Sequence, residues 1–189
     1  VNMGTQKTLV VIGGPTAVGK SSLAVKLAKA FDTEILSADS RQCYRELRIG
    51  TAKPDQVEQQ GILHHFIDSH SVDQTISAGD YSRIAREVMD KTFEKKEHLV
   101  MAGGTGLYIR AALEGIDEMP EVDEGLRTTL NHLSLEELQA RLNELDPAYA
   151  AQTDMMNPKR LVRALEVCIS SGQPYSSFLN KPKKRVPYN

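Results

Sequence analysis

The 189-residue chain has 40% hydrophobic and 25% charged residues and 13 glycines. This is long enough for one ample core with an appendage, and the composition is that of a globular protein, neither disordered nor fibrous. The absence of Trp and the 5% aromatic content disfavour a broad stacking platform for single-stranded nucleic acid, and a net charge of −2 confines any polyanion-binding face to a local patch. Residues 1–113 hold 14 Lys and Arg against 13 Asp and Glu, residues 114–146 hold 2 against 10, and residues 147–189 hold 7 against 2. Apolar runs such as Leu9 to Ile12 fall far below the ~20 residues that span a bilayer, so no membrane partner is expected. No signal-peptide pattern opens the chain, which makes the cytoplasm the expected location. Cys43 and Cys168 lack metal-ligand spacing and are expected to be reduced thiols.

In chain order, Thr8 to Ile12 reads as a buried strand ending at Gly13-Gly14, and Leu23, Ala24, Leu27, Ala28 and Phe31 give the helix after Lys20-Ser21. Glu34 to Ser37 is a second short strand that delivers Asp39-Ser40 at its carboxyl end. Residues 41–76 carry no clean period, and so long a connection is expected to be functional or to hide short elements. A helix follows over Ala78 to Lys96, with Ser77 and Asp80 as its capping pair. The strand His98 to Ala102, the turn Gly103-Gly104-Thr105-Gly106 and a helix over Leu107 to Leu113 repeat the first unit's design. Strand, glycine turn and helix occurring twice imply a parallel sheet with helices on its faces and ligands at the carboxyl ends of its strands.

Beyond Glu114 the character changes. Ser134 opens a helix with Leu135, Leu138, Leu142 and Leu145 on one stripe, and Asn157, Pro158 and Gly172 bound another. The domain reading is an α/β, P-loop NTPase-like parallel sheet with flanking helices built from 1–113 and 155–189, interrupted by a small helical insertion over 114–154. The segment Lys181-Pro182-Lys183-Lys184-Arg185 has no core-forming pattern and reads as a linker or a strand whose partners are missing.

The strongest motif is Gly14-Pro15-Thr16-Ala17-Val18-Gly19-Lys20-Ser21, a G-x-x-x-x-G-K-[ST] loop between a strand and a helix. Its amides and the helix N-terminus attract phosphate, Lys20 adds a full charge, and the Ser21 hydroxyl can ligate Mg²⁺. A phosphate or diphosphate ligand is therefore expected at this loop. Asp39, at the mouth of the second strand and so beside the loop, can act as a general base or help hold Mg²⁺ through water; spacing does not choose between them. Adjacent His64 and His65 point apart on a strand and are not expected to bind metal. Tyr44 and Tyr108 are read as packing residues.

The phosphate loop is followed in order by Ser37-Ala38-Asp39-Ser40-Arg41-Gln42-Cys43-Tyr44, Ile49-Gly50-Thr51-Ala52-Lys53-Pro54 and His64-His65-Phe66-Ile67-Asp68, then Gly103-Gly104-Thr105-Gly106-Leu107-Tyr108 and Arg160-Leu161-Val162-Arg163-Ala164-Leu165-Glu166. This series resembles the tRNA dimethylallyltransferases, over most of the chain from Thr8 to Gly172. The resemblance implies transfer of a dimethylallyl group from dimethylallyl diphosphate to N6 of adenine 37, in the anticodon stem-loop of tRNA; Mg²⁺ as cofactor and a monomeric state are expected beside it. It implies that the loop holds diphosphate, that Asp39 contacts N6 and serves as the base, and that Lys20 and Thr105 join it in catalysis. It places Asp39, Ser40, Arg41, Gln42 and Thr105 at the tRNA substrate site. Lys159, Arg160 and Arg163 sit in the first two turns of a helix, where the dipole disfavours cations, so tRNA phosphate contact is expected there. Arg127, in the acidic insert, is a further candidate contact. Two other activities keep the same loop: a small-molecule kinase, and prenylation of free adenine nucleotides. Leu63 stands where many relatives have proline, the stretch Leu130 to Leu133 is shorter than the usual insert, and the family's C-terminal portion is expected to lie outside this chain.

Overall fold

The computed structural model describes residues 6–117, 119–179, 181 and 185–188. Four strands, β1 (Thr8–Gly13), β2 (Ile35–Ser37), β3 (His64–His65) and β4 (His98–Gly103), form one all-parallel sheet in the order β1-β4-β2-β3. Helix α1 (Lys20–Ala30) follows β1, the single turn α2 (Gln56–Gln59) precedes β3, and α3 (Ala78–Phe93) and α4 (Gly106–Glu114) flank β4 in sequence. Successive strand side chains alternate between faces. Val10, Ile12, Ile35, Val100 and Ala102 pack with Ala24, Val25 and Ala28 of α1. Leu9, Leu36, Leu99 and Met101 pack with Tyr81, Ala85, Met89 and Phe93 of α3 and with Tyr108 and Ala112 of α4. Apolar contact on both faces is what makes the strands continuous hydrophobic runs.

The described residues fall into two compact units, bounded by Val1–Ile116 with Lys184–Asn189 and by Asp117–Lys183. The second unit contains α5 (Glu124–Asn131), α6 (Leu135–Leu145), α7 (Pro147–Ala150), α8 (Pro158–Ser171) and a 3-10 turn, Tyr175–Phe178. Its core is Leu130, Leu138, Leu142, Ala150, Leu161, Val162, Ala164 and Leu165. Helix α8 therefore belongs with the helices preceding it, not with the sheet as the sequence reading places it. The cause is its apolar stripe, which meets the leucines of α5 and α6. The boundary shifts accordingly, from 114–154 to 117–183. In the tail, Pro182, Lys183 and Lys184 lie outside the described residues. Val186 N–H donates to the Leu113 carbonyl (3.0 Å), and the Tyr188 ring lies 4.2 Å from that of Phe93, so this end packs on the first unit's core and is not a bare linker. Among the described residues no helix is long and apolar enough to cross a membrane.

Candidate functional site

The register sets the site. Gly13 pairs with Gly103 and Ser37 with Ala102, so β1, β4 and β2 end level with one another. The segments leaving them, Gly14 onward, Gly104-Thr105 and Asp39-Ser40, must converge at one edge. β4 lies between β1 and β2, so Asp39 is one strand away from the phosphate loop and not directly beside it, as the sequence reading had it. Two glycines close that gap. A Cβ on Gly103 would sit 2.1 Å from the Ala38 carbonyl oxygen, and one on Gly104 would sit 3.5 Å from the Gly14 oxygen and 3.8 Å from Asp39 Oδ2. Loop backbone, β4 turn and carboxylate thus meet at the exposed Gly104.

In the loop, residues 15–19 are exposed, and Ala17 (φ 66°) and Gly19 (φ 89°) take left-handed conformations, the kind of backbone from which anion-binding turns are built. The N-terminus of α1 has no side-chain cap and no acidic residue in its first turn, so its first N–H groups and its partial positive charge are open to an anion. Lys20 Nζ donates to the Pro15 carbonyl, its single bond among the described residues, which leaves two N–H groups for phosphate. The Ser21 hydroxyl is exposed at the same helix start.

Asp39 is half-buried, and its Oδ1 accepts from the backbone N–H groups of Arg41 (2.9 Å) and Gln42 (3.3 Å). These bonds fix the carboxylate and leave Oδ2 without a bond to any described residue. Thr105 straps the turn in place: its N–H donates to the Ala38 carbonyl (3.0 Å), and its Oγ1 accepts from Ser40 N–H (3.0 Å) and lies 3.3 Å from Ser40 Oγ. Arg41 is exposed. Gln42 faces inward, accepting from Ser37 Oγ (3.2 Å) and donating from Nε2 to the carbonyls of Thr51 (3.2 Å) and Ala52 (3.0 Å). Beneath the turn, the Tyr81 hydroxyl donates to the Ser37 carbonyl (3.0 Å), with its ring stacked on Tyr108 at 4.3 Å. Burial pushes the Tyr108 hydroxyl up to about 12 and the Cys43 thiol up to about 11, so both stay neutral. Tyr81 carries no motif and was invisible in the sequence except as one apolar position of a helix.

The remaining candidates lie in the second unit. Glu166 is 0% exposed, and Arg127 binds it through Nε and, at 3.0 Å, through Nη2, while Arg163 Nη1 adds a bond at 3.3 Å. Burial pushes this carboxyl up, but the hydrogen bonds and charges of Arg127 and Arg163 outweigh it and hold the group below the ordinary glutamate value. Lys159 and Arg160 are exposed at the start of α8. The candidate set thus divides: Lys159 and Arg160 are exposed and have no ion-pair partner among the described residues, whereas Arg127 and Arg163 pair with a buried acid. Glu166 belonged to a quoted motif without a role. Its signal was an acid within the apolar stripe of α8, which needs a cation partner.

His64 Nδ1 meets the Ile62 carbonyl (2.8 Å) and His65 Nε2 meets Glu34 (2.7 Å), so the adjacent histidines point to different partners. Among the described residues no group of three His, Cys, Asp or Glu could hold a metal, and Cys43 and Cys168 are free and buried.

A model of the IPP transferase family matches residues 42–189. The chain is 49% identical over 179 residues to the tRNA dimethylallyltransferase of Christiangramia forsetii, covering 93% of this chain and 59% of that protein. It is 45% identical over 186 residues to the tRNA dimethylallyltransferase of Cytophaga hutchinsonii, covering 96% and 61%. The chain therefore spans about three fifths of the length of these curated relatives. Among solved structures, the full-length tRNA isopentenylpyrophosphate transferase of Bacillus halodurans superposes with a TM-score of 0.58 at 36% identity, over 90% of this chain and 58% of that one. A eukaryotic dimethylallyltransferase acting on tRNA superposes with a TM-score of 0.81 at 23% identity, over 97% and 46%, a likeness of fold.

Proposed function

Because the chain belongs to the IPP transferase family, we propose that its protein transfers a dimethylallyl group from dimethylallyl diphosphate to N6 of adenine 37 in tRNA. The observation that supports this reading is the meeting of the phosphate-loop backbone and the Asp39 carboxylate at Gly104, where an added Cβ would lie 3.5 Å from the Gly14 oxygen and 3.8 Å from Asp39 Oδ2. In the proposed step the allylic C–O bond breaks, its electron pair leaving with the diphosphate, while N6 forms the new C–N bond and gives up a proton. Lys20 and the loop amides receive the negative charge gathering on the diphosphate oxygens. Asp39 Oδ2 takes the N6 proton, and Oδ1 keeps its two backbone bonds and holds the group in position. Ser40, Arg41, Gln42 and Thr105 form the acceptor side of the site. Adenine N6 is engaged in a stacked or paired base, so the target nucleotide must be splayed out to reach this carboxylate.

Mg²⁺ fits the residues present. An exposed hydroxyl at Ser21, an uncapped helix start and the lack of a three-ligand cluster among the described residues suit a cation that arrives with the diphosphate and keeps most of its waters. When bound it neutralises charge on the leaving diphosphate. Lys159 and Arg160 are proposed to contact tRNA phosphates, and the protein to act as a cytoplasmic monomer. The test is mass analysis of tRNA nucleosides after incubation of the full-length protein with dimethylallyl diphosphate and Mg²⁺. One adenosine is expected to gain a dimethylallyl group. Modification of free AMP, ADP or ATP in preference to tRNA, or phosphoryl transfer from ATP that outruns prenyl transfer, would replace the reading.

A further inference from the structure

Ile49 is 99% exposed, the largest exposure among the large hydrophobic side chains described. A single exposed apolar residue is ordinary on a protein surface. This one is held out by a built turn. The Thr51 hydroxyl, in a residue only 7% exposed, lies 3.2 Å from the carbonyls of both Leu47 and Arg48, and Gly50 (φ 76°) and Ala52 (φ 48°) bend the chain back. Lys53 Nζ secures the base of the turn by donating to the Tyr44 carbonyl and to Asp68 at 2.6 Å. Gln42 ties the turn to the candidate site: its side chain holds the Thr51 and Ala52 carbonyls, and its N–H holds the Asp39 carboxylate. Arg41, Arg45 and Arg48 are exposed, and no described residue bonds their guanidinium groups. Glu46, the one acid among them, is occupied by Ser71 Oγ (2.8 Å) and Val72 N–H (3.1 Å).

An apolar tip on a hydrogen-bonded turn, flanked by exposed cations and tethered to the residues that orient a carboxylate, matches RNA better than protein or lipid. Cations hold phosphates, and an aliphatic side chain packs on a base face. We propose that the turn Leu47–Thr51 is a wedge for the anticodon loop. Ile49 fills the gap in the base stack that the extruded adenine leaves, and Arg45 and Arg48 hold the adjoining phosphates. Extrusion loses base stacking, and a side chain filling the gap offsets part of that loss. This inference rests on the tRNA reading above.

The experiment uses the full-length protein and an anticodon stem-loop in two forms, one with the target adenine and one with 2-aminopurine in its place. Ile49→Ala is expected to raise the stem-loop KM about 5- to 50-fold and to reduce the fluorescence rise on binding, with the KM for dimethylallyl diphosphate and the melting temperature unchanged. Ile49→Leu is expected to restore most of both signals. Arg48→Ala should weaken stem-loop binding and lower its salt slope by about one. A stem-loop KM within twofold of wild type and an unaltered fluorescence rise in Ile49→Ala overturn the wedge while leaving the tRNA reading intact. If the wild-type protein prenylates no stem-loop, the tRNA reading falls and the wedge falls with it.

Discussion

Asp39 and Glu166 are both carboxylates held by hydrogen bonds, and their surroundings set them different tasks. Asp39 uses one oxygen for backbone N–H groups and leaves the other beside Gly104, with no bond to a described residue. Asp39→Asn keeps the acceptor oxygen and removes the base, so turnover should fall about 10²- to 10⁴-fold while diphosphate binding, measured by calorimetry, stays near wild type. An undiminished turnover number would remove Asp39 from the reaction. Glu166 uses both oxygens on Arg127 and Arg163 and faces no open space. Its folded-state pKa lies below the ordinary value of 4.5, so the stability it contributes is present above that value and is lost as pH falls through the depressed one. Glu166→Gln should therefore lower the melting temperature at pH 7 and narrow the difference between pH 7 and pH 4. The loss should be about 1–3 kcal/mol, below the full cost of breaking a buried pair, because the Arg127 and Arg163 side chains are 56% and 38% exposed and reach water when the acid is gone. The places of the Gly14–Ser21 loop before α1 and of Asp39 after β2 were legible in the sequence because each is carried by contiguous residues. The Arg127–Glu166 pair was not, since its partners are 39 residues apart and only the fold joins them.

The elements that were legible are those that announce their own ends. Ser77 with Asp80 and Ser134 with Glu137 form the capping boxes of α3 and α6, and Asn157, Pro158 and Gly172 bound α8 as their types dictate. β3, with two residues, and α2, with four, are too short to show a period, so the stretch 41–76 looked irregular. The spacing of β4 against β2 shows what the glycine turn is for. Gly103→Ala would drive a methyl group into the Ala38 backbone, which cannot move aside like a flexible side chain, and should cost at least about 3 kcal/mol or leave the protein insoluble. Denaturant titration of the soluble fraction measures it. On α8, the same-helix arginines separate by partner. Arg160→Ala removes an exposed cation and should raise the tRNA KM and flatten its salt slope by about one, with the melting temperature held. Arg163→Ala strips a bond from a buried carboxylate and should lower the melting temperature instead. Equal effects of the two on tRNA KM, without a stability difference, would contradict this division.

At the scale of the whole molecule, two separate hydrophobic cores imply two sources of cooperativity. The first unit's core is a pair of clusters, one on each face of the parallel sheet, and the second unit's core joins leucines of α5, α6 and α8. A unit the size of Asp117–Lys183 sits where domains bury only about 60% of their unfolded surface, so it should be the weaker of the two. Each unit also has its own perturbation. Diphosphate with Mg²⁺ should bind the sheet unit through Gly14 to Ser21, and a ligand at 100 times its dissociation constant stabilises what it binds by about 2.7 kcal/mol, or roughly 5–15 °C for a unit of this size. Glu166→Gln acts wholly within the other unit. Scanning calorimetry should therefore resolve two transitions, with the ligand raising the upper one and the substitution lowering the lower one. One transition that responds as a whole to both would mean that the two cores unfold together, and that contacts beyond their leucines and strands couple them.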